Sequence, residues 1–112
     1  METGAVIAFR VFGGNNKSAV NKFCREFYGY KDKSNNGKYT YERPGFIDKF
    51  RHIRVLRGLI IAKMHDVDEI VTFLKGHNAE VFVREVVLLH SDAQKLSERV
   101  HKPSSAIEKG LF

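Results

Sequence analysis

The spacing of apolar residues along the chain changes between the period of a strand and the period of a helix. Residues 5–12 (AVIAFRVF) are almost continuously apolar and rich in β-forming side chains, which predicts a largely buried strand. In residues 17–28 apolar side chains recur every three or four positions, which predicts an amphipathic helix that ends near Gly29. The first thirty residues therefore predict one strand followed by one helix.

The remainder of the chain continues this alternation. Residues 30–38 are polar and include the tight-turn pair Asn36-Gly37, so we expect a loop there. Three further strands are expected at 38–43, 53–64 and 80–89, with one short helical turn at 46–50. Two further helices are expected at 66–76 and 91–101, the first of them capped by Asp66 with Glu69 at capping-box spacing.

This order, β-α-β-β-α-β with an additional C-terminal helix, predicts an α+β protein of the ferredoxin-like type. In that fold a four-stranded antiparallel sheet carries both helices on one face and leaves the other face open. We expect one domain over residues 1–102 and a tail over 103–112. The alternative is a sheet in which the second predicted strand is only a loop. The predicted core consists of Val20, Phe23, Phe27, Ile60 or Ile61, Ile70 and Leu74.

Charge changes the functional interpretation because it is distributed unevenly. Residues 1–63 carry 13 Lys and Arg against 5 Asp and Glu, whereas residues 64–112 carry 6 against 8. Within residues 31–63 there are 9 basic and 3 acidic side chains, together with four aromatic ones between Tyr39 and Phe50. A surface of this kind attracts polyanions, so nucleic acid is the expected partner.

The expected contact surface combines basic and tyrosine side chains. Tyr39 and Tyr41 are two residues apart, so they share one face of a regular strand and can stack on bases if that face is exposed. The alternative is that both tyrosines pack in the core as structural residues. If they join Arg10 and Arg84 on the open sheet face, aromatic rings lie among guanidinium groups. The predicted nucleic-acid-binding residues are Arg10, Lys17, Lys31, Lys33, Lys38, Tyr39, Tyr41, Arg43, Arg51, Arg54 and Arg57.

Lys17 belongs to this set because GGNNKS, residues 13–18, lies between a strand and a helix start, where backbone amides can hold a phosphate. A simple tight loop with a helix cap is the alternative. The segment is not a P-loop, because Asn16 stands where that motif requires glycine. No helix is basic enough to read a major groove, so we expect RNA rather than duplex DNA.

Two parts of the sequence resemble known proteins. Residues 57–64 (RGLIIAKM) begin like the third-strand signature of the RNA-recognition motif, but its aromatic positions hold Leu59, Ile61 and Met64. No base-stacking residue is carried over, and Arg57-Gly58 is interpreted as a strand irregularity such as a bulge. Residues 5–89, with YGYKDKSNNGKYTYERPG, HIRVLRGLIIAKM and AEVFVREVVL, resemble small basic archaeal proteins of uncharacterised function. That resemblance implies an intracellular protein of archaeal type and carries no catalytic residue.

Motifs for catalysis and metal binding are absent from the sequence. The five histidines are spread along the chain, and the single cysteine, Cys24, lies in an apolar helical pattern, so no metal, cofactor or catalytic residue is expected. A metal-independent nuclease that uses Asp48 with His52, or Tyr41 with Lys38, is the less favoured alternative. No apolar run reaches the roughly 18 residues that would span a bilayer, so we expect a cytoplasmic protein without a membrane partner.

A second class of function does not involve nucleic acid. Apolar side chains on the open sheet face, among them Val6, Phe12 and Phe82, would suit a protein-interaction module or a homodimer formed through that face.

Overall fold

A computed structural model describes residues 2–12, 17–34, 37 and 39–97. The described residues form a mixed α+β protein, as predicted. Its strands are β1 (Thr3–Val11), β2 (Gly29–Ser34), β3 (Tyr39–Pro44), β4 (His52–Leu56), β5 (Leu59–Ala62) and β6 (Ala79–Val87). Its helices are α1 (Lys17–Tyr28), α2 (Val67–Gly76) and α3 (His90–Ser97), with short 3-10 helices at Phe46–Lys49 and Met64–Asp66.

The strands form two separate sheets. Four of them make an antiparallel main sheet in the order β4-β5-β1-β6, and β2 pairs with β3 in an antiparallel two-stranded ribbon. The ferredoxin-like βαββαβ order is not confirmed, because the strand order along the chain differs from the predicted one. The predicted second strand exists as β3, but it lies in the ribbon and not in the main sheet.

Two predictions of secondary structure were wrong, one of a strand and one of a loop, and each has a physical reason. The single strand predicted at 53–64 is a hairpin, because the chain reverses at Arg57-Gly58 between β4 and β5. Gly58 has φ +85°, and a Cβ there would lie 2.7 Å from the carbonyl oxygen of Phe9. The predicted loop at 30–38 contains most of β2, which is exposed or half-buried from Gly29 to Lys33 and therefore lacks the apolar alternation that marks a strand with one buried face.

The core lies between one face of the main sheet and the helices α1 and α2. Its buried side chains come from β1, α1, the first 3-10 helix, β5 and α2: Ala5, Ile7, Phe23, Phe27, Ile47, Ile60, Ala62, Ile70 and Leu74. The predicted core residues Phe23, Phe27, Ile60, Ile70 and Leu74 are therefore confirmed, whereas Val20 and Ile61 are only partly buried. Packing of apolar area against the sheet is what holds both helices in place.

The helix termini differ in detail from expectation. Asp66 occupies the N-cap position of α2 but makes no side-chain capping bond; its carboxylate lies 3.2 Å from His65 Nε2. The last helix is described as far as Ser97, with Ala93 and Leu96 buried, and α3 contacts β4. The rest of that predicted helix and the predicted tail lie outside the described residues. None of the described helices is long and apolar enough to cross a membrane.

The burial of Leu74 generates the first prediction. Its side chain is fully buried in the core, so Leu74→Ala should lower the free energy of unfolding by about 2 to 5 kcal/mol, through lost transfer energy and the cavity left behind. Leu89→Ala is the matched control, because Leu89 is exposed and should change stability by roughly 0.5 kcal/mol or less. Urea denaturation measures both, and equal losses would contradict this description of the core.

Candidate nucleic-acid interface

The pairing register of the ribbon places its tyrosines on one face. Tyr30 pairs with Arg43, and Asp32 pairs with Tyr41. Directly opposed residues in an antiparallel pair point to the same side, and residues two apart along a strand do as well. One face, which we call the tyrosine face, therefore holds Tyr30, Asp32, Tyr39, Tyr41 and Arg43. The opposite face holds Lys31, Lys33, Thr40 and Glu42.

The tyrosine face is exposed to solvent. Every residue of β3 is exposed. Tyr39 keeps 47% of its surface accessible to solvent and Tyr41 keeps 50%, and neither ring belongs to the core. The alternative that these tyrosines are core residues is therefore wrong. The hypothesis that they share a sheet face with Arg10 and Arg84 is also wrong, because those arginines belong to β1 and β6 of the main sheet.

Guanidinium groups lie over two of the tyrosine rings. Arg25, which comes from α1, is 4.1 Å from the ring centre of Tyr30, and Arg43 is 5.9 Å from that of Tyr41. Arg43 also donates a 3.2 Å bond to Asp32 on the same face. The face thus combines flat aromatic surfaces with cations, a combination that can stack on bases and contact phosphates.

The base of the ribbon joins the main domain at two glycines. Gly29 directly follows α1 and is the first residue of β2, and its φ of +84° turns the chain out of the helix. Gly45 directly follows β3. A Cβ on Gly45 would lie 2.3 Å from the nitrogen of Gly29 and from the oxygen of Phe27. No side chain fits there, so both ends of the ribbon are held close to the end of α1.

An open cleft of about 480 Å³ lies beside this junction. One of its walls is the base of the ribbon, with Lys31 and Arg43, and the other runs from the first 3-10 helix into β4. The second wall contributes Asp48, Phe50, Arg51, His52 and Arg54. Four of the lining side chains are therefore basic, Lys31, Arg43, Arg51 and Arg54, and two are acidic, Glu42 and Asp48.

Arg54 fixes the second wall of the cleft. Its terminal Nη2 nitrogen donates to the carbonyl oxygen of Tyr28 and to Asp48 Oδ1, both at 3.1 Å. Asp48 uses its other oxygen to accept the backbone N–H of Gly45 at 2.8 Å. Arg54 and Asp48 together connect the end of α1, the end of the ribbon and β4. Their charges are partly compensated, as is that of Arg43 by Asp32, and the basic residues that line the cleft still outnumber the acidic ones.

The surroundings of His52 favour its neutral form. Burial is the largest cause that lowers the pKa of His52 below its ordinary value of 6.5, and neighbouring Arg54 lowers it further. The carbonyl oxygen of Phe50 accepts a bond from Nδ1 at 2.9 Å, so Nδ1 carries the proton. Nε2 then accepts from Arg54 Nε at 3.2 Å. Arg54 therefore donates hydrogen bonds to both Asp48 and His52, the two residues named above as a possible nuclease pair.

The predicted contact residues fall into two groups. The ribbon and its cleft bring together Lys31, Lys33, Tyr39, Tyr41, Arg43, Arg51 and Arg54. The other group lies apart: Arg10 pairs with Glu80 on the main sheet, and Lys17 is exposed at the start of α1. Arg57 donates to Cys24 Sγ at 3.2 Å and lines a second cleft with Arg25, Tyr28 and Gly29 at the base of the ribbon. Arg51 donates to the carbonyl oxygen of Lys95 at 2.7 Å. Lys38 and residues 13–16 of the predicted phosphate loop lie outside the described residues.

Sequence reasoning missed two members of the site. Tyr30 was assigned to a loop, although its alternation with Lys31 and Asp32 is consistent with a strand exposed on both sides. Arg25 gave no sequence signal, because its contact with Tyr30 joins a helix to the ribbon. Within the part of the chain that the structure describes, no group of three or more His, Cys, Asp or Glu side chains could hold a metal ion.

Comparisons of the chain with protein-family models, with curated proteins and with solved structures find no match. The interpretation of the site therefore depends on its geometry and chemistry.

The protonation state of His52 generates the second prediction. Because its pKa is lower in the folded than in the unfolded chain, the unfolded state takes up the proton first as the pH falls. Its contribution to stability is complete above pH 6.5 and is lost as the pH falls from there through the folded pKa. His52→Gln should lose less stability than the wild type between about pH 8 and about pH 5, the range in which histidine titrates. Urea denaturation at both pH values measures this, and equal losses in the two proteins would contradict it.

Proposed function

We propose that this protein binds single-stranded nucleic acid, RNA in preference to DNA, and that it does so without catalysis. One observation carries the proposal: Tyr30, Tyr39 and Tyr41 lie on one face of an exposed ribbon, with guanidinium groups over two of the rings. Exposed aromatic rings interleaved with cations characterise surfaces that bind unpaired bases.

Stacking is the interaction proposed for the bases. Tyr39 and Tyr41 are two positions apart in β3, a distance of about 7 Å along an extended strand. Each ring therefore offers its own stacking platform. Arg43 beside Tyr41 can pair with the phosphate of a stacked nucleotide, because its guanidinium is already held next to the ring.

Phosphate contacts are proposed for the cleft and for the opposite face of the ribbon. Lys31, Arg43 and Arg51 line the cleft, and Lys33 extends the basic surface along β2. Along this path the basic side chains would neutralise the phosphates of a nucleic-acid strand without contacting specific bases. We therefore expect binding that tolerates many nucleotide sequences and weakens as the salt concentration rises.

Duplex DNA is the main competing ligand. A two-stranded β-ribbon fits into the major groove of B-DNA, so the shape of the ribbon alone does not distinguish the two ligands. The tyrosine rings favour single strands, because the base faces that they would contact are already stacked on each other inside a duplex. The preference for RNA depends on contacts to the 2′-hydroxyl, for which the ribbon offers the polar groups of Thr40 and Glu42.

We also propose that the ribbon is an addition to a smaller domain of ferredoxin-like type. The order of the main-sheet elements supports this interpretation, since β1, α1, β4, β5, α2 and β6 follow one another once the ribbon is set aside. The contacts of the ribbon with the main domain would then be concentrated at its base, where Gly29 and Gly45 meet.

The third prediction tests stacking. Tyr41→Ala should weaken the binding of a single-stranded RNA oligonucleotide by roughly 1 to 3 kcal/mol, because one stacking platform is removed. Its melting temperature should stay close to that of the wild type, because half of the side chain is already exposed. Fluorescence anisotropy measures the affinity and circular dichroism the melting temperature.

Tyr41→Phe is the matched control for this prediction, since it keeps the ring and should retain most of the affinity. An alanine variant that binds as well as the wild type, or one that loses affinity only by unfolding, would contradict stacking at this position. Duplex DNA of the same length serves as the comparison ligand, and a wild-type preference for the duplex would contradict the proposed class of ligand.

The fourth prediction tests the phosphate contacts. Replacing Lys31 and Lys33 with Ala should make the slope of log affinity against log salt shallower by about 1.4, because each lysine contact with a phosphate of a single strand releases about 0.7 of a counterion. Lys75→Ala with Lys95→Ala is the control; it removes the same charge from exposed positions on α2 and α3. If both double variants change the slope equally, net charge rather than this surface governs binding.

A further inference from the structure

One edge of the main sheet is long, regular and open to pairing. β6 has nine residues and lies at the end of the strand order, so β1 is its partner on one side only among the strands that the structure describes. All nine residues pair with β1 in an unbroken register from Thr3↔Val87 to Val11↔Ala79. Such an edge presents unpaired N–H and C=O groups to any further strand.

The register identifies which backbone groups of β6 have no partner in a neighbouring strand of the described sheet. The N–H of Phe9 bonds to Gly58 on the β5 side of β1, and the carbonyl of Glu2 accepts the N–H of Leu88 on the β6 side. Odd residues of β1 thus bond toward β5 and even residues toward β6. Since even residues of β1 oppose even residues of β6, the N–H and C=O groups of Val81, Val83 and Glu85 point away from the sheet.

The opposite edge of the sheet differs from β6. β4 has only five residues, its register with β5 shifts between Arg54 and Leu56, and α3 contacts it. A short, irregular and partly covered strand is a poor template for pairing, and proteins commonly use these features to protect an edge. β6 has neither a register shift nor a proline.

We propose that the protein forms a homodimer in which β6 pairs antiparallel with β6 of a second copy, around a two-fold axis at Phe82. In this register Val81 of each chain opposes Val83 of the other, and Glu80 of each chain opposes Arg84 of the other. The two main sheets then form one continuous eight-stranded sheet. This interface differs from a dimer formed face to face through the open side of the sheet.

Charge complementarity selects this register. Glu80, Phe82 and Arg84 share the face of β6 opposite α2, and all three are exposed, Phe82 by 52%. With the axis at Phe82, two Glu80–Arg84 pairs flank a pair of phenylalanine rings. Moving the axis to Val83 would place Glu80 opposite Val86 and Val81 opposite Glu85, so both ion pairs would be lost.

The backbone of the edge is compatible with this register. Phe82 would form a non-hydrogen-bonded pair, and Val81 and Val83 would exchange N–H···O bonds with the groups that point away from the sheet. In the single chain Arg84 Nη1 donates to the carbonyl oxygen of Val83 at 2.7 Å. Dimerisation would transfer this guanidinium to Glu80 of the second copy, whose carboxylate also pairs with Arg10 of its own chain, and would free the carbonyl of Val83 for the new ladder.

Charge reversal with recombination tests the proposal by analytical ultracentrifugation. The wild type should sediment as a dimer. Arg84→Glu alone would place two carboxylates opposite each other in each inter-chain pair, and Glu80→Arg alone would place two guanidinium groups opposite each other. Because like charges repel, each variant should sediment as a monomer. An equimolar mixture of the two variants should sediment as a dimer, because both inter-chain pairs are then of opposite charge.

Circular dichroism should show both variants folded, since Glu80 and Arg84 are exposed and their ion pairs contribute little to the stability of one chain. A monomeric wild type would overturn the proposal. So would variants that remain dimers alone, or a mixture that remains monomeric.

Disulfide trapping tests the position of the axis. In a Cys24→Ser background, Phe82→Cys should form an inter-chain disulfide under mild oxidation, because residues in a non-hydrogen-bonded antiparallel pair have Cα atoms about 4.5 Å apart, within disulfide range. Phe12→Cys is the matched control, since Phe12 is exposed on the open face and does not belong to β6. Cross-linking through Phe12→Cys but not through Phe82→Cys would replace the edge dimer with a face-to-face dimer.

Discussion

The placement of the ribbon depends on the close approach of two backbone segments at Gly29 and Gly45. Any side chain at Gly45 would collide with backbone atoms at 2.3 Å, so the chain leaves α1 and returns from β3 through the same narrow space. The contact between Asp48 and the N–H of Gly45, and the contact between Arg54 and Tyr28, hold the neighbouring segments against this crossing. A two-stranded ribbon alone is marginally stable in water, so its anchored base gives the exposed tyrosines a defined position beside the cleft.

The two proposed interactions use opposite edges of the main sheet. The basic cleft is partly lined by β4 residues at one edge, and β6 forms the other. Pairing through β6 would leave the cleft and the tyrosine face of each chain unobstructed at the two ends of an eight-stranded sheet. A dimer of this form would present two binding surfaces to one flexible strand, and the second contact would then be intramolecular and raise the overall affinity. Nucleic-acid binding by the ribbon does not require the dimer.

Sequence patterns predicted those elements that bury one face. α1, α2, β1 and β6 have apolar side chains at helix or strand spacing, and five core residues were identified correctly. β2 was missed, because neither side of the ribbon is buried and its residues show no apolar alternation. The β4–β5 hairpin was predicted as one strand, because residues 53–64 are largely apolar and Arg57-Gly58 was interpreted as a bulge and not as a turn. For the site, composition located the basic region, but the contact of Arg25 with Tyr30 and the bonds of Arg54 arise from tertiary structure.

Backbone amide chemical shifts, recorded as a single-stranded RNA oligonucleotide is added to the wild-type protein, test most directly whether the ribbon binds RNA. If the ribbon is the binding surface, the largest shifts should fall in β2 and β3 and in the cleft residues Arg51 to Arg54, while the amides of β6 should be little affected. Shifts concentrated on β1 and β6, around Arg10 and Phe82, would show that the open face of the main sheet binds RNA. That result would contradict the assignment of the ribbon as the binding surface.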